Sequence, residues 1–293
     1  MKRIVFILSL ALFFIPVNTA QANLFSDIHD SIVQKRQIKN DIKDVKKLIK
    51  MQDFYSAKYD IDGLKNIYAD NFLSTDGFDK DTYFSLIKDT WKSYPDITYT
   101  TEINKIEVKD NSAKVKVTET SLATTTQIED GLNVFGELHS KSEGEYFLTK
   151  NQGNWVFSGE KVINEKSFLK YGDTRFVDMD LKSPQTVKAG EYYTSSLSVN
   201  LPKDAVAIAS ISRDNISYPQ DKAEEVYRKI PDDNILERMF LANNDGKNEY
   251  NVASVGMSKS RVLPNGRMQV YMAGIAFIMT RVNVEADSAE QVK

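Results

Sequence analysis

Asp96-Ile-Thr-Tyr-Thr-Thr-Glu-Ile-Asn-Lys-Ile-Glu-Val-Lys-Asp110-Asn-Ser-Ala-Lys-Val-Lys-Val-Thr-Glu119 is the stretch that decides the fold. Ile97, Tyr99, Thr101 and Ile103 alternate with polar residues, a period of two that only a half-buried strand explains. Asp110-Asn111 turns the chain, and Ala113, Val115 and Val117 then alternate with Lys114 and Lys116. The pair reads as an antiparallel hairpin with one apolar face. Continuing the parity of its second strand puts Glu119 on the same side as the valines.

Downstream, Glu129-Asp130-Gly131 reads as a turn, with strands following over about 133–140 and 144–150. Asn151 to Asn154 makes another turn, and Trp155-Val-Phe opens a last strand reaching about Ile163. Upstream the period is helical. Ile38, Ile42, Val45 and Ile49, with Leu48 beside them, form a stripe at spacings of three and four within a helix over 26–60. Gly63 stops it, and a helical turn follows around Leu64–Tyr68. Residues 72–77 form a short strand and turn. Asp79 is placed to cap a helix with Phe84, Ile87 and Trp91 on one face, ended by Tyr94-Pro95.

Helices followed by an antiparallel meander, over roughly Ile38 to Tyr171, resemble the nuclear-transport-factor-2-like (SnoaL-like) superfamily. The opening helix with Tyr55 and Tyr59, the segment Leu64-Lys-Asn-Ile-Tyr-Ala-Asp-Asn-Phe-Leu-Ser-Thr-Asp-Gly77 and Asn154-Trp155-Val-Phe carry the resemblance. It implies an α+β cone, helices packed on a curved antiparallel sheet around a conical pocket. It carries no particular activity, because the superfamily holds enzymes, binding modules and dimer scaffolds.

After Tyr171-Gly172 the chain becomes β-rich and punctuated. Short runs at 175–181, 192–201, 205–212, 236–242, 250–257 and 267–284 are separated by Pro184, Gly190, Pro202, Asn243-Asn-Asp-Gly and Pro264-Asn-Gly, and residues 221–229 suit one short helix. Residues 205–211 and 271–279 are apolar on both parities, as strands covered on both faces are. The expectation is an all-β immunoglobulin-like sandwich. The domain expectation is therefore a signal peptide over 1–22, the cone over 23–171, the sandwich over 172–285 and a disordered tail over 286–293.

The first 22 residues carry the export reading. Met1-Lys2-Arg3 is basic, Ile4 to Val17 is an uncharged stretch of about 14 residues, and Ala20-Gln21-Ala22 offers small residues for cleavage. A bilayer span needs roughly 20 apolar residues, so the segment predicts a removed signal, with the protein periplasmic or secreted and no integral span afterwards. A balance of 38 basic against 41 acidic residues, net −3, argues against nucleic acid as a partner. With 41% apolar and 11% aromatic residues the chain can fill two cores without disulfides. No cysteine is present, which excludes thiolate nucleophiles and zinc–thiolate sites.

Only His29 and His139 exist, and no phosphate loop, dinucleotide turn, metalloprotease helix or nucleophile elbow occurs. No cofactor and no metal site is expected. Asp76-Gly-Phe-Asp-Lys-Asp and Asn243-Asn-Asp-Gly-Lys-Asn-Glu have the composition of calcium loops but not the ligand alternation, and turns explain them better. The lysines of the first helix read as a solvated face.

One chemical constellation stands out. Glu119 facing an apolar cone would have its pKa raised by desolvation, which suits general acid–base work near neutral pH. Asp76, at the end of a short strand, could approach the mouth, and Tyr55 or Tyr59 could donate to a developing oxyanion. Trp91 and Trp155 could line a ligand pocket, although packing in the core is the commoner use of such rings. The leading functional expectation is an exported, non-catalytic binding protein for a small apolar ligand or an envelope protein. The alternatives are a small-molecule isomerase, dehydratase or hydrolase using a pocket carboxylate, and a structural homodimer.

Overall fold

The computed structural model describes residues 19–125, 132, 134–220 and 224–286, with side chains from residue 33 onward. The signal segment, the 129–131 turn and the tail expected over 286–293 fall wholly or largely outside these residues. The chain divides into two units, residues 1–43 and 44–293. In the first, Gln37 donates to both carboxylate oxygens of Asp41 one helical turn on, at 3.3 and 3.2 Å.

Helix α1 spans Thr19–Ala57, α2 Ile61–Asn66 and α3 Lys80–Ser93. In the second unit α1 buries Val45, Leu48, Ile49 and Gln52 and exposes Lys46, Lys47 and Lys50, the amphipathic division its spacing predicts. Asp79 caps α3 as expected, accepting from the Thr82 amide at 2.9 Å. Such caps contribute about 1 kcal/mol.

The strands are β1 (Tyr68–Ser74), β2 (Thr98–Lys109), β3 (Ser112–Thr125), β4 (Gly136–Asn151), β5 (Asn154–Gly172), β6 (Met179–Lys182) and β7 (Thr186–Lys188). Then come β8 (Tyr192–Val199), β9 (Ala205–Asn215), β10 (Arg228–Lys229), β11 (Ile235–Leu241), β12 (Glu249–Val262) and β13 (Met268–Glu285). Ten of them make one mostly antiparallel sheet in the order β10-β9-β12-β13-β5-β4-β3-β2, with β1 and β7 paired in parallel to β5 and β13. β11, β8 and β6 make a second, three-stranded sheet.

Two elements differ from the alternation-based reading. β4 is continuous where two strands were expected, and β5 runs nine residues past Ile163, to Gly172. That extra length matters. One edge of β5 pairs with β4 throughout, while the other carries β1 near residues 157–160 and β13 over 166–172. The ladder therefore continues across residue 172. Gly172 and Gly274 face each other in this pairing. Gly172 has φ +59°, and a Cβ there would lie 2.4 Å from the Ala273 carbonyl oxygen. A Cβ on Gly274 would lie 2.6 Å from the Tyr171 carbonyl oxygen, so the close crossing needs glycine on both strands.

The helix expected over 221–229 does not form where it is described. Residues 224–227 are irregular and 228–229 form β10 against β9. The segment has few apolar residues to hold a helix against the sheet, whereas the edge of β9 offers backbone partners.

Two cores result. One joins Val45, Leu48 and Ile49 of α1, Phe84 of α3 and the inner faces of β1, β3, β4 and β5. The other lies between the three-stranded sheet and β9, β12 and β13, with Leu181, Leu197, Ile211, Val255 and Ile278 at its centre. The second sheet covers only one face of this region. Val206 and Ile208 of β9 remain 60% and 45% exposed, so the expectation of strands covered on both sides fails there. The 243–249 turn is held by Glu249, whose buried carboxylate accepts from the Asn243 amide and side chain and from Arg213 and Tyr193. Its acidic composition therefore serves the turn. Among the described residues no cluster of metal-ligating side chains occurs, and no helix is long and apolar enough to cross a membrane.

Candidate functional site

The site grows from the rows of side chains across the sheet. Residues paired in an antiparallel ladder share a face. Ile106, Val115, Tyr146 and Glu160 form one inward row, and Ile103, Val117, Gly144 and Val162 the next. Then come Thr101, Glu119, Ser142 and Glu165, and finally Tyr99, Ser121, Ser140 and Ser167. The first rows are bulky and fill the core. The last two are rich in serine, and short side chains there leave a cavity of about 250 Å³ beneath α1 and α3. Trp91, Ile87 and Leu86 of α3, with Gln52, Asp53 and Ser56 of α1, contribute to its walls.

Bulges set these rows. Asn104 is an extra residue on β2, and Ser158 and Ile163 are extra residues on β5. Each bends its strand and reverses its parity. The bulge at Ser158 turns Glu160 inward, and the one at Ile163 restores the phase that points Glu165 into the cavity.

Glu119 stands in the cavity wall, as its parity predicted. The Tyr146 hydroxyl donates to its Oε1 at 2.5 Å and itself accepts from Gln52 Nε2 at 3.2 Å. Burial raises the Glu119 pKa, the Tyr146 hydrogen bond opposes the rise, and the negative charges of Asp53 and Glu165 add to it. Two more glutamates have their own phenols. Tyr83 donates to Glu160 at 2.9 Å and Tyr250 to Glu165 at 2.8 Å. Burial pushes Glu160 up to about 8 against the pull of Tyr83, with help from Glu119 and Asp76. Burial likewise raises Glu165, and also Asp53, which accepts from Thr101 at 2.7 Å. The site therefore gathers carboxyl groups whose pKa values burial raises, each beside a hydroxyl donor.

The other residues singled out in the sequence are distributed differently. Trp91 lines the cavity with Glu119. Asp76 sits behind it, where Arg281 engages both its oxygens at 2.9 and 2.6 Å and Asn248 adds a third bond at 2.7 Å. Tyr55 packs beside the first core, with its ring edge-on to Phe54. Tyr59 braces the chain, donating to the carbonyls of Pro95 and Ile97 at 2.8 and 3.1 Å with its ring against Trp91. Trp155 is buried in the first core under the Lys150 ammonium. His139 lies on β4, and the side chain of His29 falls outside the described residues.

Sequence reading did not single out Asp53, Tyr146, Glu160, Glu165 or Arg281. Tyr146 was within reach, because it lies on the strand paired with β3 and shares the Val115 row. Glu160 was not, since only a bulge puts it inside.

No protein-family model matches the chain, and no curated protein matches it. Solved structures similar to it include a scytalone dehydratase-like protein from Novosphingobium aromaticivorans, 11% identical, covering 44% of this chain and 86% of that one, TM-score 0.37. A hexachlorocyclohexane dehydrochlorinase (LinA) type 2 is 16% identical over 44% of this chain and 86% of its own, TM-score 0.34. An LEH-like epoxide hydrolase of M. tuberculosis is 11% identical over 40% and 78%, TM-score 0.26. At these identities and TM-scores the likenesses carry no argument about superfamily or activity.

Proposed function

We propose that the protein is an exported binding protein that holds a small molecule in the cavity, with the Glu119–Tyr146 pair as its polar anchor. The observation that carries this reading is the serine-rich pair of rows, Ser121, Ser140 and Ser142, opening a cavity in an otherwise filled cone. Its volume is somewhat below the roughly 300–1,000 Å³ typical of drug-sized ligands, which suits a small guest. Export rests on the basic, apolar and small-residue order of the first 22 residues. In this reading residues 172–285 form an immunoglobulin-like sandwich whose edges offer a surface to an envelope protein.

A second reading has one specific observation in its favour. A carboxyl raised by burial, 2.5 Å from a phenol and facing a cavity, has the makings of a general acid or base. Isomerisation, dehydration or hydrolysis of the guest would then occur at Glu119.

Ligand screening by thermal shift separates these readings from an empty fold. Compounds that raise the unfolding midpoint in a saturable way are expected to lose that effect in Ser142→Phe, a substitution that fills the cavity. Hits that persist unchanged in a folded Ser142→Phe protein would place binding elsewhere. Glu119-dependent conversion of a hit would favour the enzymatic reading, and recovery of every hit unchanged would favour the carrier.

A further inference from the structure

We propose that the cavity takes a small organic cation, a protonated amine carried on an apolar or aromatic body. The inference rests on the reading of the cavity as a small-molecule site and specifies the chemistry of its guest.

The walls are one-sided in charge. Asp53, Glu119 and Glu165 line the cavity, and among the described residues no lysine, arginine or histidine joins its lining. The nearby cation Arg281 is committed to Asp76 through two short bonds, and its side chain is only 1% exposed. An anionic guest would therefore meet carboxyl groups with no neutralising partner.

The wall also offers hydrogen-bond acceptors, the carboxyl oxygens of Asp53, Glu119 and Glu165 among them. Gln52 is 9% exposed, directs Nε2 to the Tyr146 hydroxyl, and leaves Oε1 without a donor. The amide orientation follows from its neighbour, because the single Tyr146 proton is directed to Glu119. Leaving a buried acceptor unmet is costly, so a guest bringing donors to this wall is favoured. An alkylammonium carries three N–H donors and no acceptor. A neutral alcohol brings one donor against the three of the ammonium, and so meets fewer of the carboxyl oxygens.

The rest of the lining suits the body of such a guest. Tyr68, Tyr83, Trp91 and Tyr99 present rings to the same space. Aromatic faces attract cations through the ring quadrupole, more strongly as water is removed, and pack the apolar remainder. Titration supports the geometry. Burial raises all three lining carboxyls, and a cation among them lowers them again, so binding releases protons in the pH range where they titrate.

Isothermal titration of the purified protein with three matched probes tests the inference: 2-phenylethylammonium, 2-phenylethanol and phenylacetate. The ammonium is expected to bind at least tenfold more tightly than the alcohol, with phenylacetate undetectable. The apparent heat should vary with the ionisation enthalpy of the buffer, as proton release requires. Glu119→Gln and Asp53→Asn are expected to weaken the ammonium more than the alcohol. Alcohol binding as tight as ammonium binding, or measurable phenylacetate binding lost in Ser142→Phe, would overturn the cation and leave the cavity reading intact. Binding of none of the three probes would overturn the cation as well. The cavity reading itself fails only if neutral compounds in the thermal-shift screen also give no Ser142-dependent hit.

Discussion

Arg281→Met is expected to destabilise the protein by roughly 3–5 kcal/mol, the usual cost of leaving a buried charge without its partner. Arg281 is the largest fully buried side chain among the described residues, and Asp76 is only 9% exposed. Removing the guanidinium strands Asp76 on the turn between β1 and α3, with Asn248 as its remaining donor. Glu160 and Glu165 feel Arg281 as well, and both lose its stabilising field. A urea titration should show a lower midpoint with an unchanged slope. The double variant Asp76→Leu/Arg281→Met should recover much of the loss, because it removes both charges together. A midpoint within error of wild type for Arg281→Met would mean that the pair adds nothing to the fold.

The second large effect concerns pH. Glu160 binds its proton more tightly folded than unfolded, with its pKa raised from 4.5 to about 8. Between these values the folded state carries more protons than the unfolded state, so stability falls as pH rises. Asp53, Glu119 and Glu165 are raised too and act in the same direction. Asp79 is lowered by its cap hydrogen bonds, and its effect lies at lower pH, outside this window. Glu160 alone can contribute up to about 1.4 kcal/mol per pH unit where it is deprotonated only in the unfolded state. The unfolding midpoint is therefore expected to decline steadily from pH 5 to pH 8.5. Glu160→Gln keeps the Tyr83 hydrogen bond and removes the titration, and should flatten that decline. A midpoint that rises over this range would contradict the raised pKa values of the cluster.

These carboxyl groups also explain what the sequence disclosed and what it hid. Ala113, Val115 and Val117 alternate cleanly because they face a filled core, and the phase they set carried through to Glu119. The Asp79 cap and the Val45, Leu48 and Ile49 part of the α1 stripe were legible for the same local reason, whereas Ile38 is exposed. The pattern broke at Ser140 and Ser142, where one strand was read as two, and after Ile163, where β5 was read as ending. In both places the inward side chains are serine and glutamate, because they face a cavity. Hydrophobic periodicity vanishes where a strand lines a site, so those gaps were themselves the mark of the site. The bulges at Ser158 and Ile163 have no sequence signature of their own, and the inward turn of Glu160 depends on the first of them. The Asp76–Arg281 pair joins residues 205 positions apart, beyond any local pattern.

The most direct test of the central claim, that the cavity holds a small molecule, is native mass spectrometry of the protein purified without denaturation from its native host. The expected result is a reproducible mass excess over the bare polypeptide, lost on denaturation and absent from Ser142→Phe. A clean apo mass from every native preparation, with the Ser142→Phe protein indistinguishable from wild type, would contradict it.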